Sequence, residues 1–364
     1  MQQVSQRKTL LSLMVAAVLP VSASQAAVIY EETDQHLIEL YGHVAVAGFF
    51  STDSVYGEFN NNDKFIDDTS ATMGIRGFSG DFVYQLELDY DRENWKGGTG
   101  DMVLAFDKAN IGYQITNNHL VEIGLNDTAL DDVDGYGDLS YELGVSTPSA
   151  GDQANTIKYT YNNQLLQVSG SYSYKAESSS GALYGDVVNG YVGLLGSKAS
   201  VILGMEYRAG SEGKSKYGEG KLYALGAQYQ ATPELTLGLN GYWLEQDTAQ
   251  DKSTVKPEEG YKPGIYQFNQ YEQLTDKGLL LSASYMVLPE FELIASTNVE
   301  QRQTWDKYDE YWSGNEAQWR EWGDKRYWHT VGFVYRPTRQ SELGTEFSFG
   351  DAAQVAYAQA KIYF

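Results

Sequence analysis

The chain is 364 residues long and carries 49 acidic residues against 26 basic ones, with no cysteine. The missing cysteine excludes disulfides and thiol-bound metals, and acid surplus without basic patches excludes nucleic acid as a partner. A mean hydropathy of −0.42 speaks against a bundle of membrane helices but suits a chain that is apolar only at alternate positions.

The amino terminus reads as an export signal. Arg7 and Lys8 precede an apolar run, 10–19, closed by Pro20, and Ser24-Gln25-Ala26 has the small-x-small form of a cleavage site. The run is shorter than the ~20 apolar residues that a spanning helix needs. The expected organisation is a signal peptide at 1–26 followed by one domain at 27–364, with 24 basic and 49 acidic residues and so a formal charge of −25. No later stretch is long and apolar enough for a helix to cross a bilayer, so any crossing must be made by strands.

Strand signals then recur along the whole chain. Ile38, Leu40, Val44, Val46 and Phe50 share one phase, with Glu39, Tyr41 and His43 on the other. A polar Asn/Asp stretch at 60–63 leads to Met73 and Ile75 alternating with Thr72 and Arg76. After Ser79-Gly80 come Phe82, Tyr84, Leu86, Leu88 and Tyr90, interleaved with Gln85, Glu87 and Asp89. Further tight turns fit at Asn117-Asn118, Asn162-Asn163, Gly196-Ser197, Pro233-Glu234, Pro289-Glu290 and Arg339-Gln340, where the residue types are turn formers. Longer polar stretches fall between them, at 91–100, 127–153, 177–183, 211–219, 248–275 and 306–325. The chain ends on one more alternation: Ala356, Ala358, Ala360, Ile362 and Phe364 against Tyr357, Gln359, Lys361 and Tyr363.

The pattern predicts an all-β fold of sixteen strands, a transmembrane antiparallel β-barrel with seven short periplasmic turns and eight longer external loops. An even strand count brings both ends to one side, and the last strand is expected to close on the first, 37–50. Its apolar set should face lipid, with Gln359 and Lys361 facing the lumen. A soluble β-sandwich is the rival, but it does not account for short and long connections alternating over the whole chain. Many of the 29 tyrosines lie near strand ends, as aromatic girdles at two lipid–water interfaces would require. Five of the seven tryptophans (Trp305, Trp312, Trp319, Trp322 and Trp328) fall in or beside one long loop.

Several of these segments resemble one known family. Ala27-Val28-Ile29-Tyr30 with Leu40-Tyr41-Gly42-His43, then Met73-Gly74-Ile75-Arg76-Gly77 and Ile123-Gly124-Leu125-Asn126-Asp127, are similar to strands of the Gram-negative general diffusion porins. Asn155-Thr156-Ile157-Lys158-Tyr159 and the terminal Tyr363-Phe364 extend the resemblance over the full domain. It implies a trimeric sixteen-stranded barrel in the outer membrane, among lipid and lipopolysaccharide, whose terminal aromatic is read by the barrel-insertion machinery. It also implies that the third long loop folds into the pore, with its acids opposite basic residues on the wall.

On that resemblance the constriction-loop acids are Asp127, Asp131, Asp132, Asp134, Asp138 and Glu142, with Asp152 at the loop's end. The wall residues are His43, Arg76, Glu87, Asp89 and Lys158. Two family basic positions are lost, at Thr72 and Leu125, so the wall is thinned of positive charge. A cation-preferring pore for small hydrophilic solutes and ions is the expected function, with no cofactor, no metal and no catalysis. The alternative is a sugar-selective porin using aromatic stacking, motivated by the tryptophan cluster. The four histidines, His36, His43, His119 and His329, have no recognisable nucleophile or metal spacing around them.

Overall fold

A computed structural model describes residues 26–32, 35–51, 65–94, 99–177, 183–211, 217–248, 273–306, 318–319, 325–351 and 354–364. Residues 1–25 of the expected signal peptide at 1–26, and most of the tryptophan-rich loop, lie outside the described residues. Among the described residues there is no helix long and apolar enough to cross a membrane. Nineteen strands among the described residues form one antiparallel sheet.

In chain order these are β1 (Ala27–Glu32), β2 (His36–Ser51), β3 (Phe65–Asp67), β4 (Ser70–Ser79), β5 (Phe82–Asn94), β6 (Thr99–Thr116) and β7 (His119–Asp127). There follow β8 (Asp152–Asn162), β9 (Leu166–Glu177), β10 (Leu183–Leu195), β11 (Ala199–Arg208), β12 (Tyr217–Gln230) and β13 (Leu235–Thr248). The last are β14 (Gln273–Leu288), β15 (Phe291–Asp306), β16 (Gln318–Trp319), β17 (Arg326–Thr338), β18 (Ser341–Gly350) and β19 (Val355–Tyr363). Sixteen of them are barrel staves, and β1, β3 and β16 are short additions to the edges of β2 and β15.

β19 pairs with β2 from Tyr363↔His43 to Val355↔Ser51, closing the sheet into a barrel with no open edge. Beyond Tyr363 the ladder continues, as Phe364 exchanges both backbone bonds with Gly42 at 3.0 Å. β1 then takes over the same edge of β2, from Leu40 to His36. All seven short turns lie where the turn residues place them. Gly80 fills its two-residue turn with φ of +60°, a conformation that glycine adopts without strain.

The alternation separates two environments. Val44, Val46, Leu203, Met205, Leu281 and Ile362 project outward and are exposed, forming an apolar belt. Aromatic residues rim it at both ends: Phe82, Tyr113, Tyr285 and Tyr335 near the short turns, and Tyr90, Tyr223, Trp243, Tyr327 and Phe349 near the long loops. An apolar exterior between two aromatic girdles is the surface of an integral outer-membrane barrel. Gln359 and Lys361 lie on the opposite phase from Ala358, Ala360 and Ile362, as the terminal pattern predicts.

One part of the interior departs from the polar-inside rule. Ile202, Leu222, Leu244 and Leu280 sit on the inner phase of β11 to β14, yet they are fully or almost fully buried. They belong to an apolar cluster with Leu130, Val133 and Val145, residues of the segment between β7 and β8. That segment therefore lies inside the barrel.

Candidate functional site: the constriction

The inward loop, 128–151, carries a single 3₁₀ turn at Asp131–Gly135 and then runs along the inner wall. Ala129 N–H donates to Ser171 Oγ on β9 (2.9 Å), and Leu139 N–H to Ser282 Oγ on β14 (3.2 Å). Val145 N–H donates to Asn298 Oδ1 on β15 (3.0 Å), and Trp328 Nε1 on β17 donates to Leu143 O (3.0 Å). At the tip, the buried Glu346 carboxylate on β18 accepts from the N–H groups of Tyr141, Glu142 and Leu143, at 3.4, 2.9 and 2.6 Å. The Tyr141 hydroxyl reaches Glu342 and Gln359, each at 2.9 Å. Returning, Ala150 N–H donates to Glu206 on β11 (3.0 Å). Gly238 lets the loop lie flush, because a Cβ there would collide with the Gly137 carbonyl.

These anchors cover the wall from β9 to β19. The open lumen is therefore bounded by the loop on one side and by β4, β5 and β6 on the other. The uncovered wall carries Glu87 and Asp89 on the inner phase of β5, with the Thr72 hydroxyl donating to Asp89 at 2.6 Å. Opposite Glu87 the β5–β6 ladder shifts: Glu87 pairs with Lys108 but Leu88 with Phe106, leaving Asp107 as a bulge. The bulge brings consecutive residues to the lumen side, where Glu87, Asp89 and Asp107 hold carboxylate oxygens within 4.8 Å of one another.

The positive groups of this region are spent on local pairs. Arg76 Nε donates to Glu39 at 3.0 Å, and its guanidinium lies over the Tyr41 ring at 5.0 Å. Lys108 bonds Asp127 and, at 2.6 Å, Asp152. Lys158 is 4% exposed and stands opposite Glu122 in the ladder. His43 is half-buried on the inner phase, 6.0 Å from the Tyr363 ring.

The loop acids divide into two groups. Asp131 and Asp134 brace the loop itself: Ser149 Oγ donates to Asp131 at 3.3 Å, and Ser146 Oγ and Thr147 N–H donate to Asp134 at 3.1 and 2.8 Å. Asp132 lies in the 3₁₀ turn, with its side chain outside the described residues. Asp138 and Glu142 stand nearer the tip, Glu142 exposed to the lumen. Burial, offset in part by the Ser140 N–H bond, pushes the Asp138 carboxyl up to about 6.

Asp107 and Lys108 were missed by sequence periodicity, because a bulge breaks the period of two on which that reading depends. Trp328 reads from sequence as part of a loop cluster, yet it is a buried wall residue gripping the constriction loop. Its signal lay in the Tyr327-Trp328 pair, which puts bulk on both faces of one stave. Leu279-Leu280-Leu281 carries the same signal, since such a run fits a strand buried on both sides.

Neither a protein-family model nor a curated protein matches the sequence. Solved structures do match. OmpT, an outer membrane protein of Vibrio cholerae, in a form lacking loop L8, superposes with a TM-score of 0.64 at 15% identity, covering 91% of this chain and 100% of that one. Salmonella typhi OmpF in complex with daunomycin gives 0.63 at 16% identity, covering 93% and 100%. The fold is that of the general diffusion porins. A further structure, a porin from Comamonas acidovorans described as anion-selective, gives a TM-score of 0.60 at 12% identity and coverage of 91% and 100%. At these identities the likeness concerns the porin fold alone, and selectivity must be argued from the charges that each barrel presents.

Proposed function

We propose that this chain forms a water-filled, cation-preferring pore for passive diffusion of ions and small hydrophilic solutes across the outer membrane. The observation that carries this reading is acid on both sides of the constriction. Glu87, Asp89 and Asp107 lie on the uncovered wall, while Asp138 and Glu142 lie near the loop tip, Glu142 exposed and Asp138 half-buried against Ser140. The nearby cations are already balanced, Arg76 by Glu39, and Lys108 by Asp127 and Asp152 as well as by Asp107 itself, so Glu87 and Asp89 carry most of the wall's uncompensated charge. Carboxylates lining a narrow passage with low-dielectric walls raise the local cation concentration and oppose anions. No catalytic step enters this reading. Export by the 1–26 segment and assembly as a homotrimer belong to the proposal, the latter in keeping with a trimer form described for the Vibrio cholerae OmpT.

Purified protein in a planar bilayer is expected to show stepwise, ohmic conductance, with no current block by micromolar oligosaccharide. Sugar-induced blocks would favour the sugar-selective alternative. The tryptophan cluster lends that alternative little support at Trp328, which is buried beneath the loop.

The raised Asp138 carboxyl sets a pH dependence. A carboxyl is charged above its pKa and neutral below it. Desolvation within the barrel also pushes the Glu142 carboxyl up to about 8, so the loop loses negative charge as pH falls through about 8 at Glu142 and through about 6 at Asp138. Cation preference is expected to decline between pH 7 and pH 5, read as a shrinking zero-current potential in a fixed salt gradient. A flat profile over that range contradicts a role for Asp138 in selectivity.

A further inference from the structure

We propose that Lys108 is the positioning residue of the constriction loop, an internal cation that gathers both loop stems onto the barrel wall. The loop leaves the sheet at Asp127, the last residue of β7, and returns at Asp152, the first of β8; the two are partners in the ladder. Lys108 Nζ bonds the carboxylates of both, the second at 2.6 Å, and lies 3.1 Å from its neighbour Asp107. Its side chain is only 11% exposed. Asp131, at the start of the 3₁₀ turn, completes the cluster: Asp127, Asp131 and Asp152 hold carboxylate oxygens within 4.8 Å of one another.

Three carboxylates so close repel strongly in a partly buried setting unless a cation sits among them. Lys108 is that cation, delivered by the bulge at Asp107. The closing bonds of the loop base lie immediately beyond it, Thr128 N–H to Gly151 O at 3.3 Å and Asp131 N–H to Thr128 O at 3.2 Å. Glu346, Asn298 and Ser282 hold the far side of the loop, and Lys108 holds its root. A role in the pore rests on the constriction reading above, whereas the clamp itself does not.

The test is amide hydrogen exchange on folded, detergent-solubilised barrels, which needs no conduction. In Lys108→Met, exchange at Thr128 and Asp131 is expected to rise at least about tenfold, with Lys108→Arg staying near wild type. Millimolar calcium is expected to slow exchange again in Lys108→Met and to leave wild type unchanged, because the vacated carboxylates suit an oxygen-coordinated divalent ion. If Lys108 merely stabilises the wall, thermal stability falls while exchange at the loop base stays at the wild-type rate; that result overturns the proposal. Should Lys108→Met not fold, Asp152→Asn decides, since it keeps the Lys108–Asp127 pair and removes one stem: faster exchange at Thr128 supports the clamp, and unchanged exchange overturns it. A wild-type barrel that fails to conduct would refute the diffusion reading and leave this result standing.

Discussion

Glu346→Ala is expected to raise single-channel conductance by about half or more, with excess current noise, while the barrel itself stays folded. The Glu346 carboxylate is 1% exposed and accepts three consecutive backbone N–H groups of the loop tip. Hydrogen bonds to a charged acceptor contribute about 1.5–3 kcal/mol each, and alanine leaves the three donors without their acceptor. Even after partial rescue by water, docking of the tip should weaken by about 3 kcal/mol or more. The shoulders remain held by Asn298 and Trp328, so the tip swings out and the loop does not leave the wall. Backbone staves do not depend on this carboxylate, so the temperature of barrel unfolding should change little. Unaltered conductance in a correctly folded variant would mean that the tip does not bound the pore.

Neutralising the uncovered wall is the second large effect. Glu87→Gln combined with Asp89→Asn is expected to lower the cation-to-anion permeability ratio about three- to tenfold. A monovalent ion passing about 5 Å from one such charge gains roughly 3 kcal/mol at an effective dielectric near 20. Mobile counterions and lumen water screen much of that, which is why the expected change is far below the unscreened figure. Both substitutions are nearly isosteric, and the amide introduced by Asp89→Asn keeps an oxygen for the Thr72 hydroxyl. Lys221→Gln is the control: Lys221 lies on the outer phase, paired with Glu219 and away from the lumen, so it should leave the ratio unchanged. An equal change in both variants would mean that selectivity is set by the charge of the barrel as a whole.

Strand number, turn placement and sidedness were legible because each depends on local chemistry. A turn needs Gly, Asn or Pro, and a stave between lipid and water needs period two. Val201, Leu203 and Met205 against Glu206 and Arg208 show how directly that reads. The reading loses its grip where a stave does not face water on its inner side. Ile202, Leu222 and Leu280 are apolar on the inner phase because the loop covers them, and alternation alone cannot say what lies opposite. The inward course of 128–151 came from family resemblance, since an acidic run by itself describes a solvated external loop equally well. β1, β3 and β16 are short edge pairings whose existence depends on a partner already in place.

The wall charges were legible in kind and partly hidden in arrangement. Glu87 and Asp89 sit on the inner phase as their alternation predicts, whereas the pairing of Arg76 with Glu39 and of Lys108 with Asp127 and Asp152 requires three dimensions. Those pairs turn a thinned basic wall into an acidic one.

The zero-current potential of the wild-type protein in a tenfold potassium chloride gradient tests this most directly. With carboxylates on both sides of the constriction, potassium crosses ahead of chloride and the dilute compartment becomes positive. A potential near zero, or one that makes the dilute side negative, would contradict the cation-preferring pore.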